Sequence, residues 1–148
     1  MKHLKLVGLF ILSLIMINCG SDDDNPSAPQ ASILKGTWSD SVNISGQILT
    51  AKLSLDESGG IISGSGDISY IEESGTSLKS FSFKTSAAGT FQSKDVIINV
   101  VFAESKFTFT GKLSNDNSTM SGTAVMLVKN NFSFSDGTHT FNMNLKKK

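Results

Sequence analysis

After residue 32 the chain alternates. Ser80-Phe81-Ser82-Phe83, Phe107-Thr108-Phe109-Thr110 and Phe132-Ser133-Phe134-Ser135 each set phenylalanine beside a hydroxyl residue at period two, and Phe141, Met143 and Leu145 keep the same beat near the end. Successive strand side chains point to opposite faces, so each run has one apolar face and one wet face. No window after residue 32 holds a 3.6-residue period, and long runs of Ala, Glu, Leu and Lys are absent. The chain is therefore committed to an all-β fold with its apolar faces turned to one shared interior.

Alternating segments fall at 35–44, 48–56, 60–71, 77–85, 88–92, 95–102, 106–114, 118–128, 131–135 and 138–146. Turn residues separate them at short intervals, which favours an antiparallel up-and-down meander. About eight such strands can close into a barrel whose interior holds side chains or one small ligand. Asp136-Gly137 favours a two-residue turn and predicts a hairpin between 131–135 and 138–146. Two stretches, 51–68 and 111–126, share the order Lys-Leu-Ser, polar turn, apolar residue, Ser-Gly, and read as similar hairpins.

The first 32 residues follow other rules. Lys2 and Lys5 precede an apolar stretch from Leu6 to Ile17, broken by Gly8 and Ser13. A basic start and an apolar run of about a dozen residues are the layout of a secretory signal, shorter than the ~20 residues a spanning helix needs. The chain's one cysteine, Cys19, closes that stretch and stands directly before Gly20, Ser21, Asp22, Asp23 and Asp24. This segment resembles a bacterial lipoprotein signal of the Bacteroidetes type. The resemblance implies that Cys19 is alkylated through its thiolate by a diacylglycerol and becomes the first residue. It also implies that Ser21, Asp22, Asp23 and Asp24 act as an export tag to the outer cell surface. Asn18 departs from the small residue usual before the cysteine. The expected organisation is a signal peptide over 1–18, a lipidated flexible tether over 19–32 and a β-barrel domain over 33–148. The location expected is an outer-membrane lipoprotein exposed at the surface, the alternative being one that faces the periplasm.

Charge narrows the partners. From Cys19 onward the chain carries eleven lysines, thirteen acids and no arginine. Arginine is the preferred group for bidentate capture of phosphate and carboxylate, so nucleic acid and phosphorylated ligands are disfavoured. Lys146, Lys147 and Lys148 form a short basic end that reads as solubilising.

The first segment of the barrel reads Ile33-Leu34-Lys35-Gly36-Thr37-Trp38. A Gly-x-Trp on the opening strand resembles the calycin superfamily of lipocalins and avidins. The resemblance implies that Trp38 plugs one barrel end and that Gly36 allows close packing beside it. Lipocalins pair that tryptophan with an arginine from a late strand; this chain has none, and a lysine near the C-terminus could fill the role only in part. Trp38 is also the only tryptophan, so the further tryptophans of an avidin biotin site are missing. Gly36 and Trp38 are carried over as fold markers, without a ligand site.

No chemistry stands out. A hydrolytic triad needs a base beside a nucleophile, oriented by a third group. His139 is the only histidine after Cys19; it lies two residues past Asp136-Gly137, and its position reads as a partly solvated residue near a turn. No His/Cys/Asp/Glu group has metal-ligand spacing. Gly64-Ser65-Gly66 leads into no helix and reads as a bend in a curled strand, not a phosphate loop. Neither an enzyme nor a cofactor is expected, apart from the lipid on Cys19. Asn43, Asn117 and Asn131 match the N-glycosylation pattern, and Asp40-Ser41-Val42 resembles a short O-glycosylation motif of Bacteroidetes.

Two roles remain. The first is a carrier of a small apolar ligand, with Phe81, Phe83, Phe107, Phe109 and Phe141 as candidate cavity lining. The second is a protein-interaction module, for partner docking, protease inhibition or self-association. Alternation fails in Val96–Phe102 and Ala124–Val128, where both faces are apolar. If Phe102 and Met126 face in, Ile97, Val101, Val125 and Leu127 face out, and such a patch on a barrel wall points to a partner. Local cover by residues 85–95 or by the tether is the other reading of that patch. The membrane is expected as a partner through the lipid anchor.

Overall fold

In a computed structural model, the described residues are 32–44, 46–74, 77–129 and 137–148, with backbone alone described for 72–74 and 77–81. The expectations for Cys19, Ser21, Asp22, Asp23, Asp24, for the side chain of Phe81 and for 131–135 lie outside the described residues. Eight strands follow in chain order: β1 (Gly36–Ile44), β2 (Gln47–Ser58), β3 (Ile61–Ser74), β4 (Ser77–Gln92), β5 (Asp95–Phe102), β6 (Ser105–Leu113), β7 (Thr119–Val128) and β8 (Gly137–Lys147). Each pairs antiparallel with the next, and β8 returns to pair with β1, closing a barrel.

One expectation is corrected. Segments 77–85 and 88–92 are one strand, β4, because β3 is long enough to pair with it from Thr90 opposite Ile61 to Ser77 opposite Ser74. Ala87 in the expected gap is buried opposite Val100, and nothing around it turns the chain. Residues 85–95 are therefore mostly strand, and no loop there covers the outer wall. β8 pairs with β7, Val128 standing opposite Gly137; the partner strand expected over 131–135 for the Asp136-Gly137 hairpin lies outside the described residues.

The interior follows from parity. On β2, Leu49, Ala51, Leu53 and Leu55 are buried and their neighbours are not; on β5 the same holds for Val96, Ile98, Val100 and Phe102. Ile68 and Tyr70 of β3, Phe107 and Phe109 of β6, Met120 and Met126 of β7 and Leu145 of β8 complete the core. At about 25 cal/mol per Å² of apolar surface removed from water, this interior is the main favourable contribution to folding. Gly66 occupies an inward position because a Cβ there would meet the Val100 methyl groups at 2.8 Å. The chain saves that space for Val100, reaching in from another strand.

The two similar hairpins, β2–β3 and β6–β7, both turn at the end of the barrel that holds Trp38. That end is laced together by backbone bonds between successive turns. Phe91 N–H donates to Gly60 O at 2.8 Å, Leu113 N–H to Lys94 O at 2.8 Å, Lys147 N–H to Ser118 O at 2.9 Å and Lys148 N–H to Thr37 O at 2.8 Å.

Candidate functional site: the barrel mouth and its seam

Trp38 shuts one end. Its side chain is fully buried, and its indole Nε1–H donates to Leu34 O at 2.8 Å. Lys147, on the last strand, holds its ammonium 5.4 Å from the indole ring and donates to Ile33 O at 2.9 Å. A cation over an indole face is attracted by the ring quadrupole, and here it also ties both chain ends together. Gly36 has φ +138°, and a Cβ there would meet Lys147 Cε at 3.0 Å. The cation over Trp38 thus comes from the last strand, and it lies where Gly36 leaves room for it.

The other end is where β1, β3, β5 and β7 stop and β2, β4, β6 and β8 begin. Among the described residues, partly buried apolar side chains pack against the core: Ile33 and Phe91 at the Trp38 end, and Val42, Ile44, Phe83 and Phe141 toward the other end. Val42, opposite buried Leu49, and Phe141, opposite buried Ala124, both point inward yet stay half-exposed. Phe83 stands opposite buried Ile68 and stacks on Phe102, ring centroids 5.0 Å apart at 17°. It is left partly open because β5 stops at Phe102 while β4 runs on.

The expected cavity lining therefore separates. Phe83 and Phe141 belong to the mouth. Phe107 and Phe109 point inward as expected but have no accessible surface, and the Phe109 ring lies against Gly111, where a Cβ would meet its Cζ at 2.6 Å. They are core. His139, opposite Met126, is half-buried on the same inward side as Phe141.

The seam between β1 and β8 is the unusual part of the wall. Trp38 stands opposite Lys147 and Ser39 opposite Lys146, and the ladder ends there. Continuing that register would put Ser41 opposite Asn144. Instead Asn144 N–H donates to the Asp40 carboxylate, Oδ2, at 2.7 Å. Asp40 occupies an inward position, opposite buried Ala51. Its side chain turns from the interior to the edge of the seam, where it takes the place of a ladder acceptor.

On the outside, Ile97 and Val101 are exposed, 41% and 55%, while Val125 and Leu127 are half-buried. Thr108 stands between Asn99 and Val125, and Lys106 between Val101 and Leu127. Sequence reasoning missed Ile61, 67% exposed and two strands from Ile97 with Thr90 between them, and the facing pair Ile48 and Ile71. Parity against Leu49 and Tyr70 was the signal that could have found the pair. The outer wall of β1–β4 is different, with Lys52 and Lys84 either side of Asp67. It bears two shallow adjoining concavities, about 420 and 300 Å³, that share Thr37, Ser54 and Ser65. Ser41 is exposed there and hydrogen-bonds Thr50 at 2.8 Å, while the Asn117 side chain already accepts from Lys94 Nζ.

Among the described residues no group of three or more His, Cys, Asp or Glu could hold a metal ion. No protein-family model, no curated protein and no solved structure matches the chain.

Proposed function

We propose that this protein is a non-catalytic lipoprotein, anchored in the outer membrane through Cys19 and exposed at the cell surface, whose calycin-like barrel carries a small apolar ligand at its mouth. The observation that carries the ligand reading is the inward yet half-exposed set Val42, Ile44, Phe83 and Phe141, at the end opposite the Trp38 plug. Apolar side chains that face inward and keep accessible surface present a greasy lining to a guest, the usual composition of small-molecule sites. The anchor rests on Cys19 following an apolar run and preceding Asp22, Asp23 and Asp24. More than one acyl chain makes such anchoring stable, at ~0.8 kcal/mol per buried CH₂.

Native mass spectrometry of the full chain, released gently from membranes, tests both halves. A retained apolar small molecule supports the carrier; a barrel that arrives empty and takes up no lipid or apolar dye removes it. The covalent mass of a lipid, lost in Cys19→Ser, supports the anchor; an unmodified thiol removes it.

A second reading has its own observation. On the outer wall Ile97, Asn99, Val101, Thr108, Val125 and Leu127 are uncharged, with Lys106 standing between Val101 and Leu127, and depletion of charge marks the centres of protein interfaces. Ile97→Asp with Val125→Asp should abolish any self-association or partner capture; unchanged sedimentation and pull-down would end this reading.

A further inference from the structure

We propose that the β1–β8 seam is a lateral gate of the barrel, with the Asp40 side chain as its latch, and that the seam opens to pass an apolar molecule to and from the interior. The second half of this proposal rests on the carrier reading; the first half does not.

The seam is the least stitched join in the wall. β1 pairs with β2 from Gly36 to Ile44, and β7 with β8 from Thr119 to Val128, but β1 and β8 share a ladder only at Trp38 and Ser39. Local opening starts where the fewest backbone bonds must break. Below the gap the join is firm, with Lys148 N–H on Thr37 O and the Lys147 ammonium over Trp38. Those contacts serve as the hinge. Above it, Asn144 N–H donates to Asp40 across the seam, a hydrogen bond to a charged acceptor where the ladder no longer runs.

The banks of the gap are apolar on the inside. Val42 and Ile44 stand on the β1 bank and Phe141 on the β8 bank, all half-buried, while Leu49 of β2 and Met126 of β7, one strand further from the seam on either side, are buried. Releasing Asp40 would widen a slot already lined for an apolar guest. Asp40 also has no packing reason to occupy an inward position in register with Ala51, Ile68 and Phe83 of the next three strands, all apolar. Its use is at the edge.

Two experiments on the full chain decide this. The first is amide hydrogen exchange in Asp40→Ala, with Asp40→Asn retaining an acceptor oxygen. Losing a hydrogen bond to a charged group should speed exchange at Asn144 and its seam neighbours roughly tenfold to a hundredfold. Ile98 and Phe107, across the barrel, should keep their protection, and Asp40→Asn should fall between. Unchanged seam exchange, or a uniform rise throughout the barrel, overturns the latch. The second uses Ser41→Cys with Asn144→Cys in a Cys19→Ser background, bridged by a short bifunctional maleimide, with Nile red as the probe. Bridging should slow dye association and dissociation by the same factor, at least about tenfold, and leave the affinity in place. Equal rates with and without the bridge overturn the gate. If the unbridged chain binds no dye at any concentration, the carrier reading fails, and hydrogen exchange alone then decides whether the seam opens.

Discussion

The Trp38 end and the mouth are made by the same eight strands, yet they are finished differently. At the Trp38 end each turn donates or accepts one backbone bond with the next element, and the first and last segments meet through Trp38 and Lys147. At the mouth, among the described residues, elements are tied by single side-chain contacts such as Asp40 to Asn144, Thr85 Oγ1 donating to Val101 O at 2.9 Å, and Ser105 Oγ accepting from Lys129 N–H at 3.1 Å. The difference teaches where a closed barrel keeps its rigidity. A barrel has no edges to protect once its ladder is complete; here the ladder is complete at one end only, and the apolar interior comes nearest to water at the other.

The sharpest way to break that comparison is to truncate one phenylalanine at each level. Phe109→Ala removes a fully buried ring and should cost ~3–5 kcal/mol in urea unfolding. Phe141→Ala removes a half-exposed ring and should cost about 1–2 kcal/mol, in proportion to the area it hides. Equal costs would mean that the mouth is core like the rest. Next comes Trp38→Phe, which leaves the buried Leu34 carbonyl without its donor and should cost ~1–3 kcal/mol. A loss near zero would show that the plug acts by shape alone. Lys147→Met keeps the stem over Gly36 and removes the charge, so about 1 kcal/mol should go, and thermal unfolding should show it.

The smallest effect is at the β6–β7 turn. Hydrogen bonds from Ser114 and Ser118 hold the Asp116 carboxyl at about 2, down from 3.8. A depressed carboxyl stabilises the fold above its unfolded value and loses that contribution as pH falls through the folded one. Order in the 114–118 turn should therefore persist above pH 3.8 and weaken between 3.8 and about 2, read by the Ser118 amide shift in NMR. Asp116→Asn should remove the pH dependence. A turn that titrates near pH 4 would contradict the geometry.

Much of the fold was legible in the chain because its cause is local. Alternation of Phe with Ser or Thr sets which side of each strand is buried, so the inward positions of Phe107, Phe109 and Phe141 and the outward ones of Ile97 and Val101 follow from parity alone. Turn residues at 59–60, 93–94 and 114–118 set where strands stop. Where the local signal was ambiguous the expectation went astray. Serine and alanine at 86–87 read as a pause, but β3 supplies a partner for each residue of β4 from Ser77 to Thr90 and the strand runs through.

The site was less legible, for a different reason. By itself the sequence determined an alternating β chain, an opening Gly-x-Trp and a charge-poor apolar pair of strands, all of which depend on residues near one another. Only the tertiary structure decided that Lys147 lies on Trp38, that Asp40 reaches Asn144 across the closure, and that Phe83 and Phe141 stay accessible while Phe107 and Phe109 are sealed in. Those outcomes depend on closing the first strand against the last, and on how the strand ends are staggered around the barrel. Neither depends on a local propensity that a stretch of residues can display before the chain has folded.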